Sequence, residues 1–130
     1  MHNFKELRIW QDSMDIVEDI YKVVRDFPKN EQFGLISQMN RCSVSIPSNI
    51  AEGSGRDSNK DFRRFLSISL SSAFELETQL IIASRIGFLQ KDDFNRIIEK
   101  VNIVQKMIFV FRKKLNATTK LKNLVLSFFI

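Results

Sequence analysis

Leu35-Ile36-Ser37-Gln38-Met39-Asn40-Arg41-Cys42-Ser43-Val44-Ser45-Ile46-Pro47-Ser48-Asn49-Ile50-Ala51-Glu52 carries two stripes side by side. Leu35, Met39, Cys42, Ile46 and Ile50 recur at steps of three and four residues, the spacing that puts side chains on one face of an α-helix. Gln38, Arg41, Ser45, Asn49 and Glu52 repeat at the same spacing, rotated by about 100° from the apolar row, so they border the core and do not face open solvent. Pro47 lies inside the pattern. It removes one backbone donor and presses its ring toward the Ser43 carbonyl, which predicts a kink within a helix running from about Glu31 to Glu52. Gly53-Ser54-Gly55 follows and suits a helix C-cap.

The same period extends in both directions. Upstream, Leu7, Trp10, Met14, Val17, Ile20 or Tyr21, and Val24 share one face of a first helix, with Asp12, Asp15, Glu18, Asp19 and Lys22 opposite. Phe27-Pro28-Lys29-Asn30 ends it, because proline lacks the donor a continuing helix needs. Downstream, Ser58-Asn59-Lys60-Asp61 resembles a capping box and opens a third helix. Its inward face is Phe62, Phe65, Leu66, Ser69, Ser72 or Ala73, Leu76, Leu80 and Ala83, and Gly87 stops it. Asp92 or Asp93 starts a fourth, with Phe94, Ile97 or Ile98, Val101, Val104, Met107 or Ile108, Phe111 and Leu115 inward. No stretch alternates at period two, so no strands are expected. Four amphipathic helices with short connections predict an all-α fold, an antiparallel up-down-up-down four-helix bundle over residues 1–115. Residues 116–130 read as a C-terminal tail or short docking helix through Leu121, Leu124, Val125, Phe128 and Phe129.

A chain of 130 residues with 44% apolar and 27% charged composition fits one domain with one core. Four Gly and two Pro exclude collagen-like and low-complexity classes. A single cysteine, Cys42, cannot form an internal disulfide, so nothing points to an oxidising compartment. No leader pattern follows Met1, and no apolar run approaches the roughly 20 residues of a membrane span. The expectation is a soluble, cytoplasmic protein without membrane partners.

Charge is distributed unevenly. Up to Gln90 there are 11 basic and 12 acidic residues; from Lys91 onward there are 9 and 3, within a net charge of +5. No acid follows Glu99, whereas Lys100, Lys106, Arg112, Lys113, Lys114, Lys120 and Lys122 do. That end is either a surface for phosphates or acidic partners, or a solvated helix C-terminus whose cations complement the dipole.

The inventory argues against catalysis. His2 is the one histidine and sits at the terminus, so Ser–His and Cys–His nucleophile pairs lack a base. One Cys and one His do not make a zinc site, and Glu-x-x-His pairs for di-iron chemistry cannot occur. Gly53-Ser54-Gly55-Arg56 lacks the Lys-Ser/Thr of a phosphate loop and follows a helix. Glu75 and Glu77 are two apart on a helix and point to different sides. Neither an enzyme nor a metal or other cofactor is expected.

The polar row beside the second helix has matching partners in Ser72, Glu75 and Gln79 on the third. Three readings stand: a bundle flank with solvated Arg41 and Glu52, a buried network of Gln38, Arg41, Ser45, Asn49, Glu52 and Glu75 that fixes register or an interface, or a groove for a charged ligand or nucleic acid.

Phe27-Pro28-x-x-Glu31-x-Phe33-Gly34-Leu35-x-x-Gln38-x-x-Arg41, then Ser45-Ile46-Pro47-Ser48-Asn49-Ile50-Ala51-Glu52-Gly53, resembles the four-helix-bundle family encoded within 23S rRNA intervening sequences. The likeness continues through Arg56, Phe62, Phe65-Leu66, Ser72-Ala73-x-Glu75-Leu76-Glu77-Thr78, Gln79-Leu80 and Ile86-Gly87. It also takes in Phe4-x-x-Leu7-x-x-Trp10, and so covers about residues 4 to 115. The resemblance implies a ring-like homo-oligomer, a pentamer, similar to the accessory bundle of diversity-generating retroelements, which works with a reverse transcriptase and nucleic acid. Cys42, where the family pattern has a small residue, and the apolar tail after Asn116 depart from it.

Two functions follow as expectations. The first is a non-enzymatic accessory protein that binds RNA or DNA through Arg112, Lys113 and Lys114, with Lys106, Arg96, Arg63 and Arg64 behind them. Trp10 and Tyr21, the sole Trp and Tyr, are placed on the apolar face, which leaves little for base stacking. The second is a structural scaffold for a protein partner, docked through the apolar tail.

Overall fold

A computed structural model describes residues 3–116. It contains α1 (Arg8–Val23), α2 (Leu35–Ser54), α3 (Asn59–Arg85) and α4 (Lys91–Lys114), with short 3₁₀ turns at Phe4–Glu6, Val24–Asp26 and Lys29–Glu31. Among the described residues there are no strands, and the protein is an all-α four-helix bundle. α1 packs against α2 and α4, and α3 packs against the same two. His2, Lys120, Lys122 and the tail expected beyond Asn116 lie outside the described residues.

The expected inward face of α1 holds at Leu7, Ile20 and Val24, which are buried, and is corrected at Trp10, Met14 and Val17. Its buried residues are Ile9, Ser13, Ile16, Ile20 and Val23. Trp10, Met14 and Val17 are half-buried along its edge, against Val44, Pro47 and Ala51 of α2, and Tyr21 is 44% exposed. The centre of this face is Ser13, whose hydroxyl donates to the Trp10 carbonyl at 2.8 Å. That back-bond lets a polar side chain sit in the core with no unpaired group.

α2 begins at Leu35, four residues later than expected, because Glu31 serves the start of the helix from outside it. Glu31 Oε2 accepts from the Leu35 amide at 3.1 Å. Gly34 makes room: a Cβ there would stand 2.7 Å from that same oxygen. The helix runs uninterrupted through Pro47 to Ser54. Near its end the backbone of Gly53 lies against α3, where a Cβ would be 2.8 Å from Phe65 Cβ and 2.9 Å from Phe62 Cδ1.

α3 starts as expected, with Ser58 Oγ accepting from the Asp61 amide at 3.1 Å. Gly87, at φ +84°, ends it, and the Phe88 amide reaches back to the Ala83 carbonyl at 2.9 Å. By length and composition α3 is apolar enough to cross a membrane, which corrects the expectation that no segment reaches that size. Packing in the bundle accounts for part of the composition: Phe62, Leu66, Leu70, Ala73, Leu76, Leu80 and Ala83 are buried among Ile20, Met39, Ile46, Ile50, Ile97, Val101, Ile108 and Phe111, whereas Ile68, Phe74 and Ile82 are exposed.

Candidate functional site

The first turns of α3 and the last turn of α4 come together at one end of the bundle. Lys60, Asp61, Arg63, Arg64 and Ser67 from α3, with Arg112 and Asn116 from the other side, line an open cleft of ≈ 650 Å³. Four cations therefore face a single carboxylate. Arg63 Nη1 donates to the Leu115 carbonyl at 3.2 Å, and Arg112 Nη1 donates to Ser67 Oγ at 3.0 Å. Both acceptors are neutral, so they orient the guanidinium groups without cancelling their charge. Aromatic rings stiffen the border: Arg64 and Arg56 lie 5.3 and 4.8 Å from the Phe65 centroid, and Arg112 and Lys113 lie 5.7 and 5.9 Å from that of Phe109. Lys113 and Lys114 are exposed just beyond, and Lys106 is exposed two turns earlier on α4. The amides opening α3 and the carbonyls closing α4 bring opposite partial charges to this corner, so the side chains set its sign.

Arg96 does not join this group. It lies sixteen residues before Arg112 on one helix, about 24 Å along the axis. Arg96 pairs with Asp19 at 3.0 Å and with Asp93 at 3.2 Å, and Lys100 pairs with Asp19 at 2.7 Å. Burial alone would raise the Asp19 carboxyl, but hydrogen bonds and charge from Lys100 and Arg96 outweigh it and hold that group below its ordinary value. The hydrogen bonds that Arg96 donates to Asp93 and Asp19 in turn raise its own value.

The polar rows of α2 and α3 meet across a second, smaller cavity of ≈ 280 Å³, lined by Gln38, Arg41, Cys42, Ser45, Ser72, Glu75 and Gln79. Ser45 and Ser72 share a hydrogen bond of 2.8 Å, and Asn49 Nδ2 donates to the Ser45 carbonyl and hydroxyl at 2.8 and 3.0 Å. Cys42 Sγ donates to Glu75 Oε2 at 2.8 Å and to the Ser72 carbonyl at 3.2 Å. Burial, with the Glu75 carboxylate beside it, pushes the Cys42 thiol up to about 12, so it stays protonated and a donor. At the floor Gln79 is 7% exposed, and its Oε1 has no protein partner.

The expected network is brought together in part. Gln38, Arg41, Ser45 and Glu75 line the cavity and Asn49 adjoins it; Glu52 does not, and this is a correction. Its side chain is 55% exposed and pairs at 2.6 Å with Nη2 of Arg56, four residues on and just past the end of α2. Arg41 is exposed at the mouth, where its Nη2 donates to Ser37 Oγ at 3.1 Å. Cys42, read only as part of the apolar stripe, proves to be a member of the polar group.

The model of the 23S rRNA-intervening sequence protein family matches residues 5–110. The chain belongs to that family. A solved structure of a protein with unknown function from the S23 ribosomal protein family of Bacteroides thetaiotaomicron superposes with a TM-score of 0.73. It is 24% identical, and the match covers 81% of this chain and 98% of that one, a likeness in fold. No curated protein matches the sequence. For this 23S rRNA-intervening sequence protein, the matched segment takes in the whole α2/α3 seam. It ends before Arg112, Lys113 and Lys114.

Proposed function

We propose that this protein is a non-enzymatic, cytoplasmic, homo-oligomeric bundle that binds RNA or DNA through the cleft between the start of α3 and the end of α4. The observation that carries this reading is the gathering of Lys60, Arg63, Arg64 and Arg112 around one carboxylate, with neutral atoms holding Arg63 and Arg112 in place. Such a surface suits phosphate oxygens, and the binding it supports is backbone-driven, salt-sensitive and indifferent to sequence. The up-down-up-down arrangement belongs to the same reading. It is supported by Arg96 and Lys100, early in α4, reaching Asp19 late in α1, while Arg63, early in α3, reaches Leu115 after α4.

Self-association is supported by apolar side chains left exposed on α3 at Ile68 and Ile82, at Ile86 just after it, and on α4 at Ile103 and Val110. A pentameric ring, the state the family resemblance implies, would repeat the basic cleft five times and turn a weak contact into a strong one. The same exposed side chains favour the second reading, a scaffold for a protein partner. Binding of a structured RNA and a DNA duplex, with mass measured by light scattering in the same buffers, separates the two. Salt-sensitive binding by an oligomer supports the first; absence of binding at about 50 mM salt, where the electrostatic contribution is large, leaves the second.

A further inference from the structure

Trp10, Met14 and Val17 of α1 and Val44, Pro47 and Ala51 of α2 line an apolar groove of ≈ 280 Å³ on the outside of the bundle, with Ser48 its one polar member. The three α1 side chains are half-buried and Val44 is 39% exposed, so the groove stands open among the described residues. Its α1 row recurs at steps of four and three and is about 10 Å long. No charged side chain lines it, and a contiguous apolar surface of this kind marks a contact. The last described residues lie at the same end of the bundle as Ala51. Leu115, after α4, accepts from Arg63 at the start of α3, and the backbone of Gly53, two residues beyond Ala51, lies against Phe62 and Phe65 of that same turn. From the end of α4 to the near end of the groove is thus about two helix spacings, or about 20 Å. Fourteen residues follow Asn116. Residues 117–123 extend to about 23 Å, enough for the crossing. They leave Leu124-Val125-Leu126-Ser127-Phe128-Phe129-Ile130, in which Ser127 is the one polar residue.

We propose that the groove between α1 and α2 is the docking site of this chain's own residues 124–130. Apolar area on both sides drives the contact. The tether holds the segment at an effective concentration of about millimolar, so a contact too small to bind a free peptide is sufficient. The crossing residues keep Lys120 and Lys122 at the end of the bundle that carries Arg63 and Arg112. Docking also occupies the apolar tail that the scaffold reading leaves free for a partner. The groove uses none of the cleft's cations, so the proposal stands whether or not the nucleic-acid reading does.

Trp10 is the sole tryptophan and lies in the groove, so its emission reports the contact in the full chain. The native chain is compared with Phe128→Ser plus Phe129→Ser and, separately, with deletion of residues 117–130. Tryptophan emission, acrylamide quenching, helix content and mass by light scattering are measured for each. Both changes should shift emission to the red and raise quenching, at unchanged mass and helix content; the point variant keeps the test usable if the deleted chain fails to fold. Val44→Glu, at a partly exposed groove position, should do the same in the full chain and change little once the tail is deleted, because the two changes remove one contact. Emission and quenching that both tail changes leave as they were would overturn the proposal. So would a red shift that comes only with a fall in mass, since a second copy would then cover Trp10. In a last arm the tail-deleted chain is refolded together with full-length Trp10→Phe chains. Emission that stays red is expected; a return to the native emission would give the groove to a neighbour's tail and overturn the assignment to the same chain.

Discussion

The two ends of α4 carry the same kinds of residue and treat them in opposite ways. At its start, Arg96 and Lys100 close onto Asp19 and Asp93, and the charges cancel within the bundle. At its close, Arg112 and the neighbouring Arg63 are held by a hydroxyl and a carbonyl, and the positive charge is left to face outward. A cation held by an anion is structural, whereas one held by a neutral acceptor is placed and still available. The count of lysines and arginines does not say which of their charges are left available; the identity of their partners does.

The largest change to this contrast comes from removing what holds the basic corner closed. Phe111 is fully buried one residue before Arg112 and packs on Phe62 of α3 with centroids 5.4 Å apart. Phe111→Ala should cost about 3–5 kcal/mol, read from a urea melt. Gly53→Ala attacks the same corner from α2, since the new methyl group meets Phe65 and Phe62 below contact distance. Overpacking of that kind should cost about 1–3 kcal/mol, and a melting temperature equal to that of the native chain would contradict the close approach.

Asp19→Ala unties the paired end. Asp19 is 13% exposed but its partners are nearly half exposed and can be solvated, so the cost should be about 1 kcal/mol. Its pH dependence has a definite sign. A carboxyl lowered by folding stabilises fully above its unfolded value, 3.8, and loses that contribution as pH falls through its lower folded value. The stability gap between native and variant should be full at neutral pH and close in strong acid; a gap that widens below 3.8 would refute the pairing. Glu52→Ala acts beside the basic corner but outside the lining of its cleft. Its exposed pair with Arg56 should be worth within about 0.5 kcal/mol, so a large loss would restore the buried role expected from its place in the polar row.

Helices and their stops are local properties, and Ser58, Gly87 and the stripe from Met39 to Ile50 could be read directly from the chain. The inward face of α1 could be read only in part. Ser13 looks polar until its hydroxyl is seen to bond the Trp10 carbonyl, and ranking residues by hydrophobicity rotates the face onto Trp10 and Met14. In the seam, rows of matching spacing on α2 and α3 revealed that Gln38, Ser45, Ser72, Glu75 and Gln79 would meet. They did not reveal that Glu52 has Arg56 within reach four residues on, or that Cys42 would turn its thiol to Glu75. The division of the cations is the least legible part. Arg96 and Asp19, like Arg63 and Leu115, are distant in sequence, and their pairing is set by how the helices pack.

The most direct test follows binding of a fluorescent RNA hairpin and a DNA duplex by anisotropy, over salt from about 50 to 300 mM. Three proteins are needed: the native chain, Arg63→Gln with Arg112→Gln, and Arg96→Gln with Lys100→Gln. The account expects the cleft variant to lose affinity and its log–log salt slope on the duplex to shrink by about 2, roughly 0.9 for each phosphate contact removed. The variant at the paired end should bind as the native chain does. Unchanged binding by the cleft variant, or an equal loss at the paired end, would contradict the claim that neutral partners leave the cleft's charge available.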